Sequence, residues 1–296
     1  MTEPTVVLAG VTKRYGPIVA VKNLDLALRP GEVTALVGHN GAGKTTQIKL
    51  MLGLARATAG TVRLLGADPA GPGFALRARV GYLPESVSFH LALTGREALG
   101  FYARLKGLDA RHLDAAFAAV GLDGAADRAV GTYSKGMRQR LGLAQALLGD
   151  PEVLILDEPT SGLDPALRRE FYAIVAARAA QGATVLLASH ALTELEGRAA
   201  RVVIVNKGAK IVDGTLAALR ALARLPVTIR IRPARPFDGQ GWQRLSDGSL
   251  ETRVAPREKL ALLSRLLANP GILADLTVIE PSFDDLYAHF LQQEAA

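Results

Sequence analysis

The feature that most constrains this chain is a glycine-rich stretch at residues 38–46, with the sequence GHNGAGKTT. It matches the pattern G-x-x-x-x-G-K-[ST] at every fixed position. The preceding run, residues 33–37, is short, apolar and rich in β-branched side chains, so it predicts a buried strand. The following run places Ile48, Met51 and Leu52 at helical spacing. A strand, a glycine-rich turn and a helix form the context in which this motif is meaningful.

The residue types in this stretch are those of a phosphate-binding loop rather than of a chance glycine-rich turn. Its glycines let the backbone curl until successive N–H groups face one concavity, and the following helix adds the positive end of its dipole. A lysine neutralises charge on the β- and γ-phosphates, and a threonine hydroxyl reaches Mg²⁺. The sequence therefore predicts a nucleotide site built from Gly38, Asn40, Gly41, Ala42, Gly43, Lys44, Thr45 and Thr46, with Thr45 also on the metal.

Length and composition limit the kind of protein in which this site can lie. A chain of 296 residues can bury one large core and leave room for a small second domain. There is no cysteine for a disulfide or thiolate metal site, and no apolar run is long enough to cross a bilayer. The beginning of the chain has no signal-peptide pattern, so a soluble, cytoplasmic chain is expected. The net charge of +7 comes from scattered basic residues, and aromatic content is only 5%. Nucleic acid is therefore not expected as a partner.

The order of predicted elements favours an α/β domain followed by a smaller α+β domain. Short strands alternate with helices as far as a predicted hairpin at residues 202–212, which argues for a largely parallel, covered sheet. Two helical patterns, at residues 94–106 and 109–120, lie within a predicted helical subdomain at about residues 84–150. The tail has three strands, two helices and no motif. We place the domains at residues 1–219 and 220–296.

Three further stretches carry candidate chemistry. Residues 133–139 read YSKGMRQ, and Ser134 suits the N-cap of the helix that follows. A second buried strand, residues 153–156, ends in the paired carboxylates Asp157 and Glu158. A third strand, residues 184–188, runs into Ser189 and His190. Taken alone, each has an ordinary structural explanation: a capped helix, a turn, and a loop histidine.

Together with the phosphate loop, these stretches resemble the nucleotide-binding subunit of ATP-binding-cassette (ABC) transporters over about residues 5–215. The resemblance implies a P-loop fold with a mostly parallel sheet, an antiparallel edge and a helical subdomain. It also implies a head-to-tail homodimer that encloses two ATP molecules. Residues 133–139 resemble the family's signature motif but depart from it at Tyr133, Lys135 and Met137. Ser134 and Gly136, which are kept, would cap the γ-phosphate held by Lys44 of the other copy.

The resemblance also assigns roles to single residues. Asp157 corresponds to the Walker B carboxylate that holds Mg²⁺, and Glu158 to the base that polarises the attacking water. His190 corresponds to the switch histidine, which contacts the γ-phosphate, and Tyr15 to the loop aromatic that stacks on adenine. Glu85 stands where the family usually has glutamine, and a carboxylate there can ligate Mg²⁺ more strongly than an amide. The catalytic residues are thus Lys44, Glu158 and His190.

The family resemblance further implies partners. Integral membrane subunits would hold the chain at the inner face of the membrane by pressing a short helix into a groove at residues 86–101. Phe89 is expected to face solvent there, while Phe101 could equally pack inside. Within the family, residues 38–40, 81–89 and 133–149 and the tail look like the ATPase subunit of the copper-processing exporter for nitrous-oxide reductase maturation. That narrower resemblance implies a copper-related role and a periplasmic partner reached through the complex.

Several alternatives remain at this point. A soluble ABC ATPase usually carries two cassettes or a long coiled-coil insertion, and the sequence has neither. A GTPase needs the guanine-reading motif N-K-x-D, whereas residues 206–209 read NKGA. A non-catalytic interaction module is disfavoured because Lys44, Asp157, Glu158 and His190 are all present. An ABC exporter subunit for a different cargo stays open.

Overall fold

A computed structural model describes residues 3–190, 194–235, 237, 241–268, 271 and 273–295. The chain divides into two compact units, Met1–Gly214 and Thr215–Ala296. The predicted boundary between residues 219 and 220 falls inside helix α7 (Leu216–Ala223), whose N-cap Thr215 already belongs to the second unit. Because residues 219 and 220 lie in the same helix, the chain divides before that helix, and the second unit starts at the N-cap Thr215.

The first unit contains nine of the described strands and six of the described helices. The strands are β1 (Val6–Tyr15), β2 (Ile18–Leu28), β3 (Val33–Val37), β4 (Ala59–Leu64), β5 (Val80–Leu83), β6 (Val153–Asp157), β7 (Thr184–Ser189), β8 (Arg201–Asn206) and β9 (Ala209–Gly214). The helices are α1 (Lys44–Met51), α2 (Phe74–Ala78), α3 (Gly95–Leu105), α4 (Arg111–Ala119), α5 (Lys135–Leu147) and α6 (Pro165–Ala180).

The main sheet has the strand order β5-β6-β7-β3-β8-β9. Every neighbouring pair is parallel except β8 and β9, which form an antiparallel hairpin at one edge. All residues of β3, β6 and β7 are buried, as expected of parallel strands covered on both faces. The predicted fold class, a mostly parallel sheet with an antiparallel edge, is confirmed.

A second, antiparallel sheet has the order β2-β1-β4 and packs its apolar residues into the same core as β3 and α1. Both strands of its first hairpin are longer than the strands that the sequence pattern predicts at residues 5–12 and 23–28. In particular, Tyr15 was expected in a loop and is instead the last residue of β1, paired with Ile18. The two strands stay paired as far as Tyr15 and Ile18, next to the turn. The residue types at positions 13–19 do not predict this pairing.

The helical subdomain is built around α3, α4 and α5. Helix α3 begins with a complete capping box between Thr94 and Glu97, and Leu99, Phe117 and Leu143 are at most 1% exposed. Ser134 caps α5 as predicted, accepting a hydrogen bond of 3.1 Å from the backbone N–H of Met137.

The second unit is a small α+β fold with its own core. Its described elements are α7, β10 (Val227–Pro233), β11 (Gln243–Arg244), β12 (Leu250–Val254), α8 (Lys259–Leu267), β13 (Leu273–Ile279) and α9 (Phe283–Ala295). The sheet has the antiparallel order β11-β12-β10-β13, and Ile229, Ile231, Leu250 and Leu266 form its buried cluster. Among the helices that the structure describes in the whole chain, none has the length and apolar character needed to span a bilayer.

Candidate active site

A cleft of about 360 Å³ opens at the carboxyl ends of β3 and β6, the edge where parallel α/β sheets usually bind ligands. It lies in the first unit and brings together residues from five separate parts of that unit. Its lining comprises Ile18, Val19, Ala20, His39, Asn40, Gly41, Gly43, Lys44, Thr45, Thr46, Glu85, Asp157, Glu158, Lys207 and Gly208.

The glycine-rich loop forms one wall of the cleft, and two of its glycines are required sterically. A Cβ atom on Gly38 would lie 2.6 Å from the carbonyl oxygen of Val205. Gly43, with φ of 102°, would place a Cβ 2.6 Å from the carbonyl oxygen of Ala20. Ala42 is completely buried behind the loop. The backbone is thus held in a curled path that leads directly into the N-terminus of α1.

Lys44 is the first residue of α1 and is only 7% exposed. Its ammonium donates a hydrogen bond of 2.5 Å to the carbonyl oxygen of Gly38 and lies 3.5 Å from Oε1 of Glu158. The ammonium therefore stays at the mouth of its own loop, where it can neutralise a phosphate.

Two oxygen-bearing side chains, those of Thr45 and Asp157, meet in the same cleft. The hydroxyl of Thr45 donates to Oδ2 of Asp157 at 3.3 Å. Burial raises the pKa of the Asp157 carboxyl, and the negative charges of Glu158 and Glu85 raise it further. Because a hydroxyl and a carboxylate are hard oxygen donors, this pair fits Mg²⁺. Glu85 lines the same cleft and adds a third oxygen-bearing side chain.

Glu158 follows the end of β6 in a left-handed conformation, with φ of 46°. Ser189 donates to Oε2 of Glu158 at 3.3 Å, and Nδ1 of His190 lies 2.9 Å from Oε1. A non-glycine residue in this conformation is strained, and such strain is concentrated at functional sites. Because Lys44 and His190 both lie close to Oε1 of Glu158, the three predicted catalytic residues are neighbours.

Of the predicted site residues, Gly38, Ala42 and His190 do not themselves line the cleft, although Gly38 and Ala42 belong to its loop and His190 contacts Glu158. Three others, Ser134, Gly136 and Tyr15, do not line it either. Ser134 and Gly136 lie at the start of α5, where a Cβ on Gly136 would be 3.0 Å from Leu167. Tyr15 is 46% exposed, and the ammonium of Lys13 lies 4.8 Å from its ring centroid. Tyr15 pairs across its hairpin with Ile18, which does line the cleft. The roles of these three residues stay predictions.

Sequence reasoning missed other residues of the cleft. Lys207 and Gly208 were noticed only as a hairpin turn, although both line it. Gln139 donates a hydrogen bond of 2.8 Å to the carbonyl oxygen of Pro159, which ties α5 to the loop after Glu158. No local sequence pattern predicts these contacts, because they join segments that are far apart in the chain.

Comparison with known proteins gives a consistent result. Residues 21–161 match the family described as ABC transporter. The chain is 36% identical to the daunorubicin resistance ATP-binding protein DrrA2 of Streptomyces coeruleorubidus, over 93% of this chain and 91% of that protein. It is 39% identical to the Nod factor export ATP-binding protein I of Burkholderia orbicola, over 71% and 70%. A solved structure of an ABC transporter ATP-binding subunit superimposes with a TM-score of 0.69 at 29% identity, covering 74% of this chain and 92% of that one.

Proposed function

The chain belongs to the ABC transporter ATP-binding family, whose members are ATPases coupled to transport, and we propose that it works as a head-to-tail dimer on separate membrane chains. One observation supports this proposal most directly. Four residues at or after the ends of two different strands line one cleft: Lys44, Thr45, Asp157 and Glu158. His190, which follows a third strand, contacts the Glu158 carboxylate.

In the proposed mechanism, residues 41–46 bind the phosphate chain through backbone N–H groups and the N-terminus of α1. The ammonium of Lys44, which is held at the loop by the carbonyl oxygen of Gly38, neutralises phosphate charge without needing to be drawn in from solvent. These residues bind and orient ATP.

Thr45 and Asp157 would hold Mg²⁺, with Glu85 as a third oxygen donor from the rim. When bound, the ion supplies positive charge to the phosphate oxygens and orients the terminal phosphate. Asp157 is only 3% exposed. Water therefore competes little for this carboxylate, and the charge that burial disfavours is the charge that a cation would neutralise.

Glu158 is the proposed general base. A water molecule attacks the γ-phosphorus, its proton passes to the Glu158 carboxylate, and the bond between the γ-phosphorus and the bridging oxygen breaks to release ADP. His190 and Ser189 contact the two carboxylate oxygens and so fix the direction in which the carboxylate points. From this position His190 is proposed to contact the terminal phosphate.

The positions of Ser134 and Gly136 support a dimer in which each copy completes the other's site. They stand at an N-terminus of α5 that is outside the chain's own cleft. In a head-to-tail pair, this second helix N-terminus would meet the γ-phosphate from the side opposite to Lys44. Tyr15 would stack on the adenine from the end of the β1–β2 hairpin, where it pairs with Ile18.

This proposal predicts different results for two substitutions. Glu158→Gln should bind ATP, lose hydrolysis and accumulate as a dimer. The bound ATP still joins the two copies, but without a general base it is not hydrolysed. Lys44→Ala should instead weaken nucleotide binding. Light scattering of the purified chain with ATP and Mg²⁺, together with phosphate release, measures both. Glu170→Gln, on the exposed surface of α6, is the matched control. A Glu158→Gln chain that stays monomeric and hydrolyses ATP normally would contradict the base assignment.

We propose an exposed apolar surface on the helical subdomain as the docking site for the membrane chains. It consists of Phe101 and Leu105, which are 49% and 52% exposed, and we call it the α3 patch. Phe101 and Leu105 are one helical turn apart and share a face. Phe89 is half-buried and meets Tyr102 edge-on at 6.1 Å, so the expectation that it faces solvent in a loop holds only in part. Docking there would place the chain at the inner face of the membrane.

For the cargo, we propose export of an apolar or amphipathic organic molecule. The support is that the relatives above are named for daunorubicin resistance and Nod factor export, whereas neither name mentions copper. The resemblance to the copper-processing exporter rests on residues 81–89 and 133–149 and remains the second candidate, with its periplasmic partner. Deleting the gene separates the candidates: increased sensitivity to an anthracycline supports the first, and loss of nitrous-oxide reductase activity supports the second.

A further inference from the structure

The turn between β8 and β9 lies at the same cleft as the phosphate loop, and the proposed mechanism uses neither of its residues. The two residues of the turn, Lys207 and Gly208, both line the cleft. They have φ values of 45° and 81°, and Asn206 pairs with Ala209 across the hairpin. Two consecutive left-handed residues define a turn that strongly favours asparagine, aspartate or glycine at its first position. Lysine at that position is therefore conformationally unfavourable.

The turn is held tightly against the nucleotide-binding residues. The N–H of Gly208 donates to the carbonyl oxygen of Ala42 at 2.9 Å, inside the phosphate loop. The carbonyl oxygen of Gly208 accepts from the N–H of Lys22 at 2.9 Å. On the other side, Oδ1 of Asn206 and Nε2 of His39 are 2.7 Å apart. The position of Lys207 relative to the phosphate loop is thus determined by three contacts.

The two lysines of the cleft differ in what they contact. Lys44 is buried and already engages Gly38 and Glu158. Lys207 is exposed, and within the described part of the chain no carboxylate or hydrogen-bond acceptor engages its ammonium. A cation at the rim of an anion-binding cleft, on a turn that cannot move independently of the loop, is placed to attract a polyphosphate.

We propose that Lys207 is a second phosphate-binding cation, whose ammonium donates hydrogen bonds to the phosphate oxygens of the bound nucleoside di- or triphosphate. This inference rests on the proposed ATP site and adds a residue to it. Because the contact is made at an exposed rim, it strengthens binding of the nucleotide and is sensitive to salt. Lys207 therefore acts on the affinity for nucleotide and has little effect on the chemical step.

The test compares Lys207→Asn, Lys207→Arg and, as a matched control, Lys49→Gln. Asparagine keeps the left-handed turn while it removes the charge, arginine keeps the charge, and Lys49 is an exposed lysine on α1 outside the cleft. Titration with a fluorescent ATP analogue gives Kd at 0.05 M and 0.5 M NaCl, and thermal unfolding checks the fold. Lys207→Asn should weaken binding about threefold to tenfold at low salt, with a smaller difference at high salt. Lys207→Arg and Lys49→Gln should bind as the unsubstituted chain does.

An unchanged Kd in Lys207→Asn, or an equal loss in Lys49→Gln, would overturn this inference and leave the proposed function intact. A loss in Lys207→Asn that does not diminish with salt, or that Lys207→Arg shares, would show that the turn matters only for its shape, and would also overturn it. Failure of the unsubstituted chain to bind the analogue would overturn the ATP site itself, and this inference with it.

Discussion

At the scale of single residues, Asp157 shows how the site and the stability of the chain oppose each other. Burial raises the pKa of this carboxyl above the ordinary value of 3.8. Between that ordinary value and the raised one, the folded chain binds more protons than the unfolded chain. The free energy of unfolding therefore falls as pH rises through this window. At neutral pH the ionised Asp157 destabilises the chain without ligand.

We therefore expect Asp157→Asn to raise the Tm of the nucleotide-free chain at pH 7.5, with a difference that shrinks as the pH approaches 4. The same change should lower ATP hydrolysis by about 100-fold or more, because the negative ligand for the cation is lost. Scanning calorimetry across pH and a phosphate-release assay measure the two effects. A substituted chain that is less stable at neutral pH would show that Asp157 supports the fold through its bond from Thr45 more than its burial opposes it.

At the scale of elements, the end of helix α3 is attached to the sheet by a partly buried lysine. Lys106 is the C-cap of α3, and its ammonium donates to the carbonyl oxygens of Val80 at 3.1 Å and Leu148 at 2.9 Å. One residue thus joins the end of α3 to β5 and to the end of α5. Burial lowers the pKa of Lys106 from 10.5 to about 8. Between these values the unfolded chain binds more protons, so the free energy of unfolding rises with pH.

This linkage predicts that Lys106→Met changes the pH dependence of stability. The unsubstituted chain should gain stability relative to Lys106→Met as the pH rises from 7 to 9.5, since the charge that burial disfavours is released in that range. Urea midpoints at both pH values measure the gap, and Lys49→Met, at an exposed lysine on α1, is the control. A gap that is the same at pH 7 and pH 9.5 would mean that the two carbonyl contacts keep Lys106 charged.

At the scale of the whole molecule, the open question is which surface meets the membrane chains. If the α3 patch does, Phe101→Asp should leave the isolated chain folded and able to bind ATP, because that side chain is half exposed. It should also abolish co-purification with membrane chains from detergent-solubilised membranes, read by mass spectrometry. Leu260→Asp, at a leucine of the second unit that is 71% exposed, is the control. Retention of the membrane chains by Phe101→Asp would place the docking surface elsewhere.

Much of this molecule followed from local pattern. The phosphate loop, its flanking strand and helix, the Ser134 cap and the alternation of short strands with helices were predicted, because glycine spacing, capping residues and apolar periodicity act over a few neighbouring residues. The lengths of β1 and β2 were not predicted, and Tyr15 was placed in a loop. Strand ends depend on whether a partner strand continues, and that information lies elsewhere in the chain.

The sequence by itself determined which groups this protein has for chemistry: a phosphate loop, a lysine, a threonine, paired carboxylates and a histidine, each at the end of a predicted strand. Only the tertiary structure decided how they meet. It placed the Glu158 carboxylate beside His190 and tied Lys44 to Gly38. It also brought the turn carrying Lys207 against the phosphate loop. The physical reason is that hydrogen bonds and steric fit between distant segments depend on the packed arrangement of strands, which no window of neighbouring residues contains.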